Sequence, residues 1–310
     1  MSSPPIKTVM VVGASGNTGV HIVDSLLAAG FTVSALTRET SKTTFADNVQ
    51  VVKSDYTIPS LTRAFQGQDA VVSTIATFSV TEQIKIIDAM IAAGVKRFIP
   101  SEYGIDTSDP RIMELLPPAG EKARIIGYLK TKEGKISWTG VINGGYFDWV
   151  LIGGGMGWNL RTRSVKVHDS GDQLWEGTNI GQIANAVTAC LSTEHYDETS
   201  NTYIYINSFT VSQNQVIAEL EKALGSKLEI QRVNGAQVAE AAREEMAKGE
   251  FENVAGSPYI KGTVDLITCE VFNLDGLNNF SATRGLWNDR LGLPKESLED
   301  TIRRVVKAIA

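Results

Sequence analysis

The run Val11-Val12-Gly13-Ala14-Ser15-Gly16-Asn17-Thr18-Gly19-Val20 decides the reading of this chain. An apolar stretch, Val9-Met10-Val11-Val12, leads into the three glycines, and His21-Ile22-Val23-Asp24-Ser25-Leu26-Leu27 follows with helical spacing. Strand, glycine turn and helix in that order form a cradle for a pyrophosphate. The glycines let the backbone come close, and the free N–H groups at the helix N-terminus stabilise the charge. A second apolar strand at 31–36, after the helix, gives the turn the context the motif requires. The stretch predicts a dinucleotide site.

Outward from that turn, strands and helices keep alternating, the pattern of parallel strands with crossover helices. Further strands are expected at 49–53, 70–75, 96–100 and 138–142. Helices are expected near 61–65, over 82–93 and over 121–132, and Gly94 is placed to end the second of these as a left-handed cap. The six strands fit a doubly wound parallel α/β sheet. After Asn143 the pattern changes. Gly153-Gly154-Gly155-Met156-Gly157 suits neither a helix nor a strand interior. Val165-Lys166-Val167-His168 and Gln173-Leu174-Trp175 flank Asp169-Ser170-Gly171-Asp172, which reads as a hairpin. Helices are expected over 180–191, 212–224, 236–248 and 296–310, and a strand over 202–206. The reading is a dinucleotide-binding domain over 1–150, to which a segment at about 178–206 returns. A smaller, discontinuous C-terminal substrate lobe takes up most of 151–310.

The chain has 310 residues, enough for a full core, and a net charge of −6, which disfavours a nucleic-acid partner needing a basic face. Cys190 and Cys269 have no C-x-x-C spacing and read as buried free thiols of a reducing compartment. His21, His168 and His195 show no ligand spacing, so no metal is expected. The start at 1–7 is short and polar, and no stretch is long enough to cross a bilayer. The expectation is a cytoplasmic protein, with a homodimer possible.

Cofactor choice turns on the end of the second strand. Where an NAD-specific fold places an acid for the ribose hydroxyls, this chain has Leu36-Thr37-Arg38-Glu39, with Lys42 close behind. A guanidinium matches a 2′-phosphate with two parallel hydrogen bonds, and a nearby ammonium adds charge. NADP(H) is therefore expected over NAD(H). Ser15 and Asn17 in the turn join Gly13, Gly16 and Gly19 in the cofactor set. Asp55, after the third strand, and Thr74, near the end of the fourth, complete the set.

Four segments resemble the NmrA-like and isoflavone-reductase-like proteins, atypical short-chain dehydrogenase/reductases. They are Val12-Gly13-Ala14-Ser15-Gly16-Asn17-Thr18-Gly19, Thr37-Arg38-Glu39, Ala70-Val71-Val72-Ser73-Thr74 and Arg97-Phe98-Ile99-Pro100-Ser101-Glu102-Tyr103-Gly104. Val141-Ile142-Asn143-Gly144-Gly145-Tyr146-Phe147-Asp148-Trp149 resembles the segment such proteins carry after the sixth strand. The resemblance implies an NADPH-binding Rossmann domain with a small substrate lobe. It also implies hydride transfer to aromatic substrates such as isoflavones and phenylpropanoid ethers.

The wider superfamily pairs a tyrosine with a lysine four residues on, and Tyr128-Leu129-Lys130-Thr131-Lys132 copies that spacing. Its position is wrong, because Lys132 lies just before the next strand, far from the ligand edge. Lys122 has the right distance, although Pro118 stands where the tyrosine would be. In the isoflavone-reductase-like enzymes a lysine opening this helix is proposed as the acid/base group, and Lys122 matches it. The family's double arginine is absent, with Gly127-Tyr128 in that region. Lys122 is thus the expected catalytic residue and a contact of the nicotinamide ribose. Tyr103, Asn143 and Phe147 are the expected substrate contacts. Two functions stay open at this point. One is an NADPH-dependent reductase of a small aromatic or conjugated secondary metabolite; the other is a non-catalytic dinucleotide sensor that binds a protein partner.

Overall fold

The computed structural model describes residues 6–248 and 261–310; the first five residues of the polar start lie outside them. The first half runs β1 (Thr8–Val12), α1 (Asn17–Ala28), β2 (Thr32–Arg38), β3 (Val49–Ser54), α2 (Ile58–Phe65), β4 (Ala70–Ser73), α3 (Gln83–Ala93) and β5 (Arg97–Ile99). A short α4 (Ile112–Leu115), α5 (Pro117–Lys130) and β6 (Ser137–Ile142) follow. The second half runs β7 (Gly145–Tyr146), α6 (Phe147–Gly153), β8 (Trp158–Asn159), β9 (Ser164–His168), β10 (Leu174–Thr178) and α7 (Ile180–Leu191). It continues with β11 (Thr202–Tyr205), β12 (Phe209–Ser212), α8 (Gln213–Leu224), β13 (Glu229–Val233) and α9 (Gly235–Lys248). Last come α10 (Lys261–Val271), α11 (Phe280–Thr283) and α12 (Leu298–Ile309).

A seven-stranded sheet carries the order β11-β6-β5-β4-β1-β2-β3, and all its pairings are parallel. Parallel strands are covered on both faces, which is why β1 reads as an unbroken apolar run rather than an alternating one. Val9 and Val11 pack with Ile22 and Leu26 of α1 and with Ile183 and Val187 of α7. Met10 and Val12 point to the opposite face, with Leu61 of α2, Ile86 of α3 and Ile125 of α5. Strand order reverses between β1 and β4, so a crevice opens at the carboxyl ends of those two strands. β11 pairs with β6, and α7 packs on α1, so this later stretch belongs to the central sheet.

The rest of the second half forms two small sheets, β12-β10-β7 and β13-β9-β8. Phe147, Trp158, Trp175, Phe209 and Phe272 dominate the core between these sheets and helices α8, α10 and α12. The expected hairpin at 165–175 is not formed. β9 pairs with β13 and β8, whereas β10 pairs with β12 and β7. Asp169 (φ 52°) and Gly171 (φ 77°) do make the turn, but it hands the chain from one sheet to the next. The helix expected to open at 121 starts four residues earlier, at Pro117, a residue suited to a first helical position. Lys122 therefore sits in its second turn. Among the described residues no helix is long and apolar enough to cross a membrane.

Candidate active site

The residues singled out by sequence fall on one edge of the large sheet, at the carboxyl ends of its strands. Gly13 ends β1 in a left-handed conformation (φ 84°), and the Gly16 N–H donates to its carbonyl oxygen at 2.9 Å. Gly16 is the N-cap of α1 and no side chain caps the helix, which leaves its first N–H groups free at the turn. The three glycines do different things. A Cβ on Gly13 would lie 2.7 Å from Thr74 Oγ1, and one on Gly19 would lie 2.2 Å from the Gly13 oxygen. On Gly16 it would meet only that same oxygen, at 3.2 Å, so the Gly16 side of the turn is open. Ser15, Gly16 and Asn17 are exposed. Thr74 straps β4 to the turn, its hydroxyl within 3.1 Å of the Val12 oxygen and 3.0 Å of the Gly13 oxygen.

Arg38 is the last residue of β2, two residues beyond the expected strand end, and its carbonyl oxygen accepts from the Ser41 N–H. Arg38 and Lys42 are both exposed, and neither forms an ion pair among the described residues. Asp55 is also exposed. Its carboxylate accepts from the Thr57 N–H at 2.9 Å and the Thr57 hydroxyl at 2.8 Å, and Thr57 caps α2. The Thr57 N–H is the main reason the Asp55 carboxyl is held below its ordinary value. Asp55 is thus engaged in local capping.

Ser101, Glu102 and Tyr103 follow β5. Ser101 is tied down, its N–H donating to Gln83 Oε1 and its hydroxyl to the Ile75 oxygen. Tyr103 packs inside the core below β1 and α7, its hydroxyl buried without a hydrogen bond. Burial pushes that hydroxyl far above its ordinary value, so it stays protonated. Lys122 reaches the same place from α5. It is buried, and its ammonium donates to the main-chain oxygen of Glu102. Burial lowers its proton affinity, and the neighbouring Glu102 charge works in the opposite sense. Tyr128 is in the last turn of α5 and Lys132 lies just beyond its end. The Tyr128 hydroxyl donates to Asp88 at 2.6 Å, and the Lys132 ammonium sits over the Tyr128 ring.

Asn143 ends β6 fully buried, its Nδ2 donating to the Gly144 oxygen and its Oδ1 left without a donor. Phe147 stacks on Trp175 (centroids 5.8 Å apart) and meets Phe209 edge-on, so it belongs to the core of the smaller lobe. Trp149 is exposed and edge-on to Tyr146. Tyr146 itself was not singled out by sequence, yet its hydroxyl lies 3.4 Å from Thr18 Oγ1 in the first turn of α1. Only a long-range contact of this kind marks it, and local pattern does not report such contacts.

An open glycine turn, an uncapped helix start and two unpaired cations fit a dinucleotide carrying an extra phosphate. Fold and site thus define a doubly wound, dinucleotide-binding protein with a buried lysine at the ligand edge and a smaller lobe beside it. The chain belongs to the NmrA-like family, whose model matches residues 5–261. It is 33% identical over 305 residues to the oxidoreductase aprR of Aspergillus flavus, covering 96% of this chain and 98% of that one. It is 30% identical over 239 residues to the isoflavone reductase homolog P3 of Arabidopsis thaliana, covering 71% and 76%. Among solved structures, the leucoanthocyanidin reductase of Vitis vinifera superposes with a TM-score of 0.75 at 19% identity, covering 96% of this chain and 99% of that one. A structure from a study of pinoresinol-lariciresinol and phenylcoumaran benzylic ether reductases gives a TM-score of 0.77 at 18% identity, covering 98% and 100%. At those identities the structural likenesses carry the fold.

Proposed function

We propose that this chain is an NADPH-dependent reductase of a small aromatic or conjugated secondary metabolite. The observation that carries the reading is Lys122, a buried ammonium brought to the same sheet edge as the open glycine turn. Gly13, Gly16 and Gly19 with the start of α1 would hold the pyrophosphate, and Arg38 with Lys42 the 2′-phosphate. Ser15, Asn17, Thr74 and Asp55 border the same cleft. When bound, the cofactor supplies the hydride. Lys122 orients the ribose and holds the proton that the reduced substrate needs. Of the three expected substrate contacts, Asn143 offers a free acceptor, its Oδ1, whereas Tyr103 and Phe147 are core residues that support the site from behind. Residues 1–150 with 178–206 form the cofactor domain and the remainder of 151–310 the substrate lobe. The sensor reading has less support, because the relatives that span the chain carry oxidoreductase names.

Two buried free thiols suit a reducing cytoplasm. The acidic balance suits a small-molecule partner rather than a nucleic acid, and light scattering tests for the homodimer. Lys122→Ala should lose NADPH oxidation by about a hundredfold or more against a panel of conjugated phenylpropanoids and quinones, the range for a lost acid/base group. Lys132→Ala should keep it, because Lys132 lies beyond the end of α5, whose rise from Lys122 to Lys130 alone is about 12 Å. Full activity in Lys122→Ala would remove lysine from the chemistry. A wild type that binds NADPH tightly and turns over nothing in a broad panel would put the sensor reading first.

A further inference from the structure

Glu102 is the most confined carboxyl at the site. It is fully buried, and its Oε2 accepts from the Thr107 hydroxyl while its Oε1 has no hydrogen-bond partner. Its own main-chain oxygen is the acceptor for the Lys122 ammonium. One residue therefore addresses Lys122 twice, by a main-chain dipole in contact and by the charge of a carboxyl buried with it. The space for this arrangement comes from Gly140 in β6. A Cβ there would stand 2.7 Å from the Tyr203 ring and 3.5 Å from Glu102 Cγ. The other ionisable groups that face the carboxyl are Tyr203 from β11 and Asp106 and Tyr103 from the loop after β5. Asp106 is itself paired with Arg284 at 2.9 Å and the two tyrosines are neutral, so among the described residues Lys122 is the cation that acts on Glu102.

We propose that Glu102 is a positioning residue for Lys122, its main-chain carbonyl orienting the ammonium and its buried carboxyl setting the charge that Lys122 carries. The physical reason is that each partner, buried alone, would give up its charge. Burial raises the proton affinity of Glu102 and lowers that of Lys122, and each opposes the effect on the other. Thr107 adds a donor to the carboxylate and so favours the charged pair. The proposal rests on Lys122 being the acid of the reductase reading, and its test separates the two.

The side-chain signal of Lys122, in the full chain labelled at lysine, is titrated by NMR and assigned by its loss in Lys122→Gln. In Glu102→Gln, which keeps the shape and removes the charge, the Lys122 midpoint moves to lower pH. Thr107→Val moves it the same way by less, and carries the test if Glu102→Gln does not fold. An unchanged midpoint in both variants overturns the proposal. Turnover gives the second arm: Glu102→Gln loses about tenfold on the alkaline side and stays within about twofold of wild type at pH 6, with KM for NADPH nearly unchanged. A loss uniform across pH would make Glu102 a fold support only and overturn the proposal. Full turnover in Lys122→Ala would strike the acid role of Lys122, a failure that leaves the Lys122 midpoint where Glu102 puts it.

Discussion

At Gly19 a Cβ would stand 2.2 Å from the Gly13 oxygen and 2.9 Å from the Ala14 backbone, whereas at Gly16 nothing but that oxygen lies near, at 3.2 Å. One motif therefore contains two kinds of glycine. Gly19 lets α1 press against the turn, and Gly16 leaves a face clear for a phosphate. Gly19→Val should destabilise the fold by about 3 kcal/mol or more, since the clash is with backbone that cannot step aside. Gly16→Val should melt within a few degrees of wild type and weaken NADPH binding by about a hundredfold, roughly 2.8 kcal/mol by calorimetry. Wild-type affinity in Gly16→Val would mean that glycine there serves the turn only. Arg38 offers the complementary test. Arg38→Ala should lose about 2–3 kcal/mol of NADPH affinity and almost none of NADH affinity, because the lost hydrogen bonds go to the 2′-phosphate. Equal losses for the two cofactors would count against the assignment.

At the scale of elements, the first half of the chain was legible because its strands are local, largely apolar runs separated by helices of ordinary length, with glycines such as Gly30, Gly67 and Gly94 in the turns that lead into them. Gly94 (φ 81°) and Gly225 (φ 65°) cap α3 and α8 as their positions in sequence suggest. Strand partners in the smaller lobe were not legible. Alternation in Ser164–His168 marks a half-buried strand, but its pairing with Glu229–Val233, like that of Leu174–Thr178 with Phe209–Ser212, is decided by contacts far away in sequence. The site divides in the same way. The glycines and Arg38 are proposed from local motif and Lys122 from the family resemblance, whereas the enclosure of Glu102 by Thr107 and Tyr203 joins the loop after β5 to β11, about a hundred residues on. Arg97 shows the same limit. Arginine side chains are seldom buried, yet this one is fully so. Its guanidinium donates to Ser137, Thr139, Thr199, Ser200 and the Tyr196 oxygen, and it lies over the Tyr196 ring. It thereby fixes the connection that leads into edge strand β11. Arg97→Lys cannot reproduce that fan of donors and should cost about 2–4 kcal/mol in urea unfolding. A loss below about 0.5 kcal/mol would show that the connection holds itself.

On the scale of the whole molecule, buried carboxyls outside the cofactor cleft set how stability changes with pH. Glu270, in α10 of the smaller lobe, is fully buried, and neither of its oxygens closes a hydrogen bond of good geometry. Burial, reinforced by Asp275 beside it, pushes its carboxyl up to about 8. In the unfolded chain the same group titrates near about 4.3. Between those two values the folded state keeps a proton that the unfolded state releases, so the folded state is favoured less and less as pH rises. The contribution is whole below the unfolded value and is lost as pH climbs through about 8. Asp69 works in the opposite sense. Its hydrogen bonds to Lys96, Lys7 and Thr8 outweigh its partial burial and hold it at about 2, so its contribution is lost only in strong acid. Glu270→Gln keeps the shape and removes the titration. Its stability should match wild type near pH 4 and exceed it at pH 8, by a difference on the order of 4 kcal/mol, the linkage free energy between the two values. Melting curves at four or five pH values between these limits decide the matter. Parallel curves for the two proteins would mean that Glu270 ionises in the fold as it does in the open chain.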